Sequence, residues 1–550
     1  MRNEQGVDAI CQNKTGQAGK TDQRFKGGND MYDILVQNGM IADGSGKPLF
    51  KCNIGISEDR IVWIGNDRER KAVRTIDASG LVVAPGFIDM HAHDDLDLIV
   101  NPDAKPKVLQ GVTTEVIGQC GFGVAPYLPG HGAKWKDWLV TFFGNTGVEW
   151  KWQSFGEYLD FLDSSGSAIN ITALVTHGAI RANVMGLDNR RPSLGELEEM
   201  QRLLSQSIDE GAKGMSLGLV YLPGVYAYED ELTELHRVLA KKGALTVPHV
   251  RGLRETSVEA IEEAIRISKN SGASLHIAHL STAGKNNWDK LYKIFDRIDQ
   301  AKATGQDITF DQHTYTASST SLTMILPSWV LEGGQDQMIA KFLDSNVRNQ
   351  VINEVQQQKI ANWDELLITG VTTDKNKYCT GKTVQEIASI RGTTPAKAIV
   401  DLMVEENAGL SLVVLNTYSL ENVFFAVKRS DGMFGSDGIP VGEYPHPRLY
   451  GTFPRVLQTF VRENNTITLE EAVQKMTYAA ACRLNIIDRG LIQEGYFADI
   501  AIFNPETIED CATYWEPRQH PKGIQYVLVN GQVVVENGKH TGKLPGVVIR

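Results

Sequence analysis

Two histidines one residue apart, His91 and His93, close the run LVVAPGFIDMHAHDD. On an extended strand, side chains at i and i+2 share a face, so both imidazoles address one point, as a metal ion requires. More residues of this kind end apolar runs downstream: Cys120 in TTEVIGQCGFG, His177, Tyr221 in LVYLPGVY, His249 in ALTVPHV, His279 in ASLHIAHL, His313 in DITFDQHTY and Asp437 in FGSDG. Zinc accepts imidazole nitrogen, thiolate sulfur and carboxylate oxygen, and the set holds all three. His249 and His279 end consecutive units at equivalent points and read as ligands. His177 and His313 read either as supports for the ligands or as structural residues. His131, His236, His276, His520 and His540 share no strand end with another candidate and read as structural. Asp437, a carboxylate beside a cation, is expected to stay ionised and to act as general base and acid. Arg448, in HPRLYGTFPR, carries a planar fork suited to a carboxylate, whereas Arg455 reads as a helix-surface charge. Tyr221 is placed to donate to a developing oxyanion.

The elements that must position these residues alternate. Ser193 and Glu196 form a capping box for a helix to about Glu210, Gly211 stops it, and KGMSLGLVY follows as a strand. Three further units repeat the plan, with helices from about Glu229, Ser257 and Trp288, glycine stops at Gly243, Gly272 and Gly305, and strands reaching His249, His279 and His313. Helical crossovers between parallel strands predict an α/β fold, a (β/α)8 TIM-type barrel, whose chemistry gathers at the carboxyl ends of its strands. The expected division is a disordered extension over 1–30, one half of a small β-sandwich domain over 31–84, the barrel over 85–484 with an insertion over about 322–422 near its mouth, and the other sandwich half over 485–550. Both sandwich halves show strand-turn-strand runs, which predict an antiparallel module folding from both chain ends, and LEEAVQKMTYAAACRLN reads as one amphipathic helix closing the barrel.

At 550 residues, the chain is long enough for a large domain with satellites. Its 67 acidic residues against 55 basic ones give a net charge of -12, which argues against a nucleic-acid partner. The six cysteines are too scattered for a disulfide framework, and no window is apolar enough to span a membrane or serve as a secretory signal, so a cytoplasmic setting is expected.

From about Tyr32 onward, PGFIDMHAHDD, GVTTEVIGQCG, GMSLGLVYLPGVYA, VPHVR, SDG, HPRLYGTFPRVL, DRGLIQEGYFADIAIFNP and VNGQVV resemble the D-aminoacylase (N-acyl-D-amino-acid deacylase) family of the amidohydrolase superfamily. The resemblance implies a tight zinc on Cys120, His249 and His279, and a weaker site on His91 and His93 bridged by Cys120, with Asp437 counted both among the metal ligands and as catalytic acid/base. It implies that Tyr221 is the oxyanion donor, that Arg448 partners the substrate carboxylate, and that Ser319 lies near the substrate. Two positions depart from the family pattern. Ser281 stands where a substrate-contacting lysine is usual, with Lys285 the candidate replacement, and His313-Thr314 replaces a tyrosine-proline pair.

The reaction so implied is zinc-dependent hydrolysis of N-acyl-D-amino acids, small-molecule substrates, to a carboxylate and a free D-amino acid. Metal-activated water attacks and Asp437 handles the proton. The alternatives are a hydantoinase- or dihydroorotase-like enzyme acting on cyclic amides, an enzyme cleaving unusual dipeptides, and a non-catalytic scaffold. A carboxylated bridging lysine would mark the cyclic amidases, and the nearest lysine, Lys213, precedes its strand.

Overall fold

The computed structural model describes residues 31–67, 70–357 and 361–550, and the extension expected over 1–30 lies outside them. Seven short strands open the fold: β1 (Met31–Gln37), β2 (Met40–Ile41), β3 (Phe50–Lys51), β4 (Asn53–Ser57), β5 (Arg60–Gly65), β6 (Lys71–Asp77) and β7 (Val82–Pro85). They supply the sheet β5-β4-β1-β6 and one end of a larger sheet. The module is mixed rather than antiparallel, because β1 runs parallel to β6 and β2 parallel to β7.

Eight parallel runs then form the barrel wall. They are β8 (Phe87–Asp89), β9 (Val112–Ile117), a third run split by Leu174 into β10 (Asn170–Ala173) and β11 (Val175–Thr176), β12 (Gly214–Gly218), β13 (Leu245–His249), β14 (Ser274–Ile277), β15 (Ile308–Gln312) and, after an interruption, the eighth. The interruption holds β16 (Ser318–Ser321), β17 (Leu366–Gly370) and β18 (Ser411–Val414), which form an antiparallel sheet of their own. Residues from Leu322 to Val414 pack an apolar core separate from that of the barrel. The eighth barrel strand is β19 (Gly432–Phe434), and the parallel bridge Ala92–Gly438 brings its exit back to that of β8. β20 (Ile500–Phe503), β21 (Ile524–Val529), β22 (Gln532–Glu536) and β23 (Lys539–His540) join β7, β2 and β3 in a seven-stranded sheet, so both ends of the chain share one sheet.

Local chemistry explains the crossovers. The helix Leu194–Asp209 starts on the Ser193/Glu196 capping box, and left-handed glycines Gly243 and Gly272 end Glu229–Lys242 and Ser257–Ser271. Two runs differ from the sequence reading. FFAV belongs to the helix Leu420–Val427, leaving only three residues for β19. LEEAVQKMTYAAACR breaks at Thr477 into Leu469–Met476 and Tyr478–Arg483. Cys52, Cys120, Cys379 and Cys511 are free thiols.

One buried histidine gives the barrel a pH dependence. His236 Nδ1 donates to the Leu232 carbonyl and its Nε2 accepts from the Thr246 hydroxyl, both at 2.6 Å. Burial, assisted by His177 and opposed by the Leu232 carbonyl, takes its pKa down to about 4. Between about pH 6.5 and 4 the unfolded chain gains a proton that the folded one refuses, so stability falls on acidification, by up to about 3 kcal/mol at this site. Thermal midpoints measured across that window should fall less steeply in His236→Gln than in the wild type; equal slopes would contradict the assignment.

Candidate metal centre

β8 ends at the barrel mouth with Asp89, so His91 and His93 emerge just beyond the strand rather than on it, on either side of the bridging Ala92. Lys107 fixes this corner: its buried ammonium donates to Asp89 at 2.8 Å and to the Ser436 hydroxyl at 3.0 Å, and pairs with Asp94 at 2.9 Å and Glu115 at 3.3 Å. Asp89 Oδ1 in turn accepts the backbone N–H of Ser436 at 2.7 Å and of His91 at 3.2 Å. The exits of the first and eighth strands are thereby pinned together, which sets Asp437 against His91 and His93. Burial works against the Lys107 charge, but the three carboxylates hold its pKa well above the ordinary value.

Two groups of ligand atoms share one sulfur. His91, His93 and Cys120 form one, and Cys120, His249 and His279 the other, with the atoms in each group within 4.8 Å of one another and every residue buried. Cys120 Sγ lies 3.3 Å from both His91 Nε2 and His279 Nε2. A zinc ion about 2.0–2.3 Å from each of its ligands sets those ligands roughly 3.5 Å apart, so these spacings fit the ion. The donor chemistry fits too, since three protein ligands per group leave a coordination position open, as catalytic zinc sites do. Burial opposes the Cys120 thiolate, yet His91 and His279 bring its pKa well below that of an ordinary thiol.

The backbone is strained where these side chains emerge. Cys120, His279 and Asp437 all adopt left-handed φ values, 54°, 33° and 50°, which non-glycine residues seldom take and which gather at functional sites. Next to Cys120, Gly121 (φ 74°) passes so near the fourth strand that a Cβ would lie 2.5 Å from the Gly218 nitrogen, and a Cβ on Gly218 would lie 2.0 Å from the Cys120 carbonyl oxygen. Only glycine fits at either place, and the close approach draws the thiol to the centre of the mouth.

Asp437 Oδ1 lies 3.1 Å from His93 Nε2 and 3.6 Å from His91 Nε2, while its Oδ2 lies 2.9 Å from Arg448 Nη1. Burial opposes its charge, but Arg448, His91 and His93 hold its pKa well below the usual carboxylate range. Arg448 begins the helix Arg448–Arg455 and is fully buried, and the N–H groups of Nε, Nη1 and Nη2 make no aligned hydrogen bond. Unmet buried donors are costly, so this guanidinium is poised for an anion.

Tyr221 is half-buried, its ring 5.0 Å from that of His249, and its hydroxyl lies 3.3 Å from the Thr320 hydroxyl on β16, which carries the interrupting segment to the mouth. Ser319 sits beside Thr320 on that strand. Ser281 donates to the His279 carbonyl at 3.0 Å and lines a small cavity with His279, His313 and Tyr418. Lys285 is exposed, in a short turn of helix that follows β14. Lys213 precedes β12, at the opposite end of the barrel from the site. His177 pairs with Glu231 at 3.0 Å, beside Arg181, in a buried network of its own.

Sequence reasoning missed Asp89, Lys107, Thr320 and Asp311, and it called His276 structural. His276 Nε2 lies 3.1 Å from Asp311, whose other oxygen lies 3.2 Å from His91. A carboxylate just before the HxH pair was the visible signal for Asp89; nothing in the sequence marks Lys107 as its partner.

Fold and site together define a barrel protein equipped to hold metal ions where its strands end. The amidohydrolase family profile matches residues 74–535. The chain is 33% identical to the D-aminoacylase of Alcaligenes xylosoxydans xylosoxydans over 94% of its own length and 97% of that protein's. A crystal structure of N-acyl-D-glutamate deacylase from Bordetella bronchiseptica, complexed with zinc and a phosphonate mimic of the tetrahedral intermediate, superposes with a TM-score of 0.82 at 32% identity, covering 94% of this chain and 100% of that one. A D-aminoacylase structure concerned with the binuclear metal centre, one-metal activation and second-metal attenuation superposes with a TM-score of 0.81 at 31% identity, with the same coverage. The chain belongs to the amidohydrolase family, within its D-aminoacylase (N-acyl-D-amino-acid deacylase) group.

Proposed function

We propose that the chain hydrolyses the amide of N-acyl-D-amino acids, with Cys120, His249 and His279 holding a catalytic zinc and His91, His93 and Cys120 a weaker second site. The observation that carries this reading is the shared Cys120 sulfur flanked by a carboxylate and a buried, donor-rich guanidinium. The likeness to proteins named for zinc, a binuclear centre and D-amino-acid deacylation supports it. Bound zinc would supply Lewis acidity and acidify water near neutral pH.

The chain's own residues supply the rest. Arg448 takes the α-carboxylate on the N–H groups not turned to Asp437, which fixes the amide at the mouth and converts remote binding into orientation. Tyr221 donates its hydroxyl proton toward the carbonyl oxygen as negative charge grows there, with Thr320 holding the phenol. Asp437 accepts a proton from the attacking water and passes it to the amine nitrogen as the C–N bond breaks. Lys213 lies too far from the mouth to bridge metals, which disfavours the cyclic-amidase alternative.

The test is release of free amine from matched N-acetyl D- and L-amino acids. The reading predicts turnover of the D series alone; turnover confined to the L series, or to cyclic ureides, would replace it.

A further inference from the structure

Asp311 has no part in those steps, yet its contacts end on both ligand groups. Its carboxylate is buried at the carboxyl end of β15. Oδ1 lies 3.2 Å from His91 Nδ1 and accepts the backbone N–H of His279 at 3.0 Å. Oδ2 lies 3.1 Å from His276 Nε2, and His276 Nδ1 lies 2.7 Å from the Thr309 hydroxyl. An ionised carboxylate can only accept, so it selects the His91 tautomer protonated on Nδ1 and leaves the Nε2 lone pair facing Cys120. Its other contact grips the backbone of His279 where φ is 33°, a conformation that a non-glycine residue keeps only if its surroundings impose it.

We infer that Asp311 is a positioning residue that orders both ligand groups at once, setting the tautomer of His91 in one and the backbone of His279 in the other. His276 and Thr309 hold the carboxylate in place. Ligand histidines depend on such partners for orientation and basicity, but here one carboxylate serves two groups and couples them. The inference rests on the ligand assignment proposed above.

The test uses the 550-residue chain, stripped of metal and titrated with zinc against a chromogenic chelator, with unfolding midpoints taken on the metal-free samples. Asp311→Asn keeps the size of the side chain and a neutral hydrogen bond to His276, once that ring exchanges its proton toward Thr309, but removes the charge. Asp311→Ala removes every contact. Zinc affinity should fall about 10-fold in the Asn variant and up to about 100-fold in the Ala variant. Both zinc equivalents should weaken together, while the metal-free midpoint of the Asn variant stays at the wild-type value. Affinities within about twofold of wild type in both variants would overturn the inference. So would weakening of one equivalent alone, or a loss of affinity matched by a loss of metal-free stability in the Asn variant. A wild-type chain that takes up no zinc would overturn the ligand assignment itself, a distinct result.

Discussion

Replacing Asp437 by Asn should lower kcat by about 10⁴-fold, the upper end of what one positioned proton-transfer group contributes, because the same carboxylate serves attack and departure. Asn is the informative substitution. The site holds Asp437 at φ 50°, a left-handed conformation that Asn adopts more readily than Ala, so the variant removes charge with little added backbone strain. It also leaves Arg448, fully buried and 2.9 Å away, without its counter-charge, so the folded state should lose several kcal/mol of stability. Rates must therefore be read well below the variant's own melting temperature. Zinc on Cys120, His249 and His279 should survive, since Asp437 belongs to neither ligand triad. Near-normal turnover with zinc in place would remove Asp437 from the mechanism.

The second large effect is selective. Arg448→Ala should lower kcat/KM by about 10²-fold or more for substrates bearing a free α-carboxylate, the loss expected for a buried charge-assisted fork, and should leave their carboxamide analogues near the wild-type rate. Arg448→Lys should recover only part of that loss, because an ammonium keeps the charge but not the planar pair of donors. An equal loss on carboxylates and carboxamides would show that Arg448 acts only as the partner of Asp437. The substrate carboxylate would meet a guanidinium already beside Asp437, so the carboxylate and the general base are neighbours in the bound state, which explains why both residues lie on the short stretch after the eighth strand.

The barrel was legible because its signals are local. The capping box at Ser193 and the glycine stops at Gly243 and Gly272 lie within a turn of what they bound, and three successive units each deliver a histidine at or just past the strand end. His249, His279 and the HxH pair could therefore be read as convergent before any coordinates. Short apolar runs were not legible: FFAV suits a strand or a helix, and only packing against the barrel decides for the helix. The charged scaffold was hidden for a different reason. Lys107, Asp89, Glu115 and Asp311 look like ordinary surface residues until the fold buries them together, and burial of a charge depends on partners hundreds of positions away, as Ser436 is from Asp89. The pairing of Arg448 with Asp437 belongs to the same class, since the residue types were evident and their contact was not.

In the proposed mechanism, catalysis belongs to a metal held through the shared Cys120 sulfur. This is tested most directly by stripping the chain with a chelator, confirming zinc loss by elemental analysis, and following amine release from an N-acetyl-D-amino acid as zinc is returned. Activity should vanish with the metal and return with about one zinc per chain, the complement of a single three-ligand site. Undiminished hydrolysis by a chain shown to contain no metal would contradict the account.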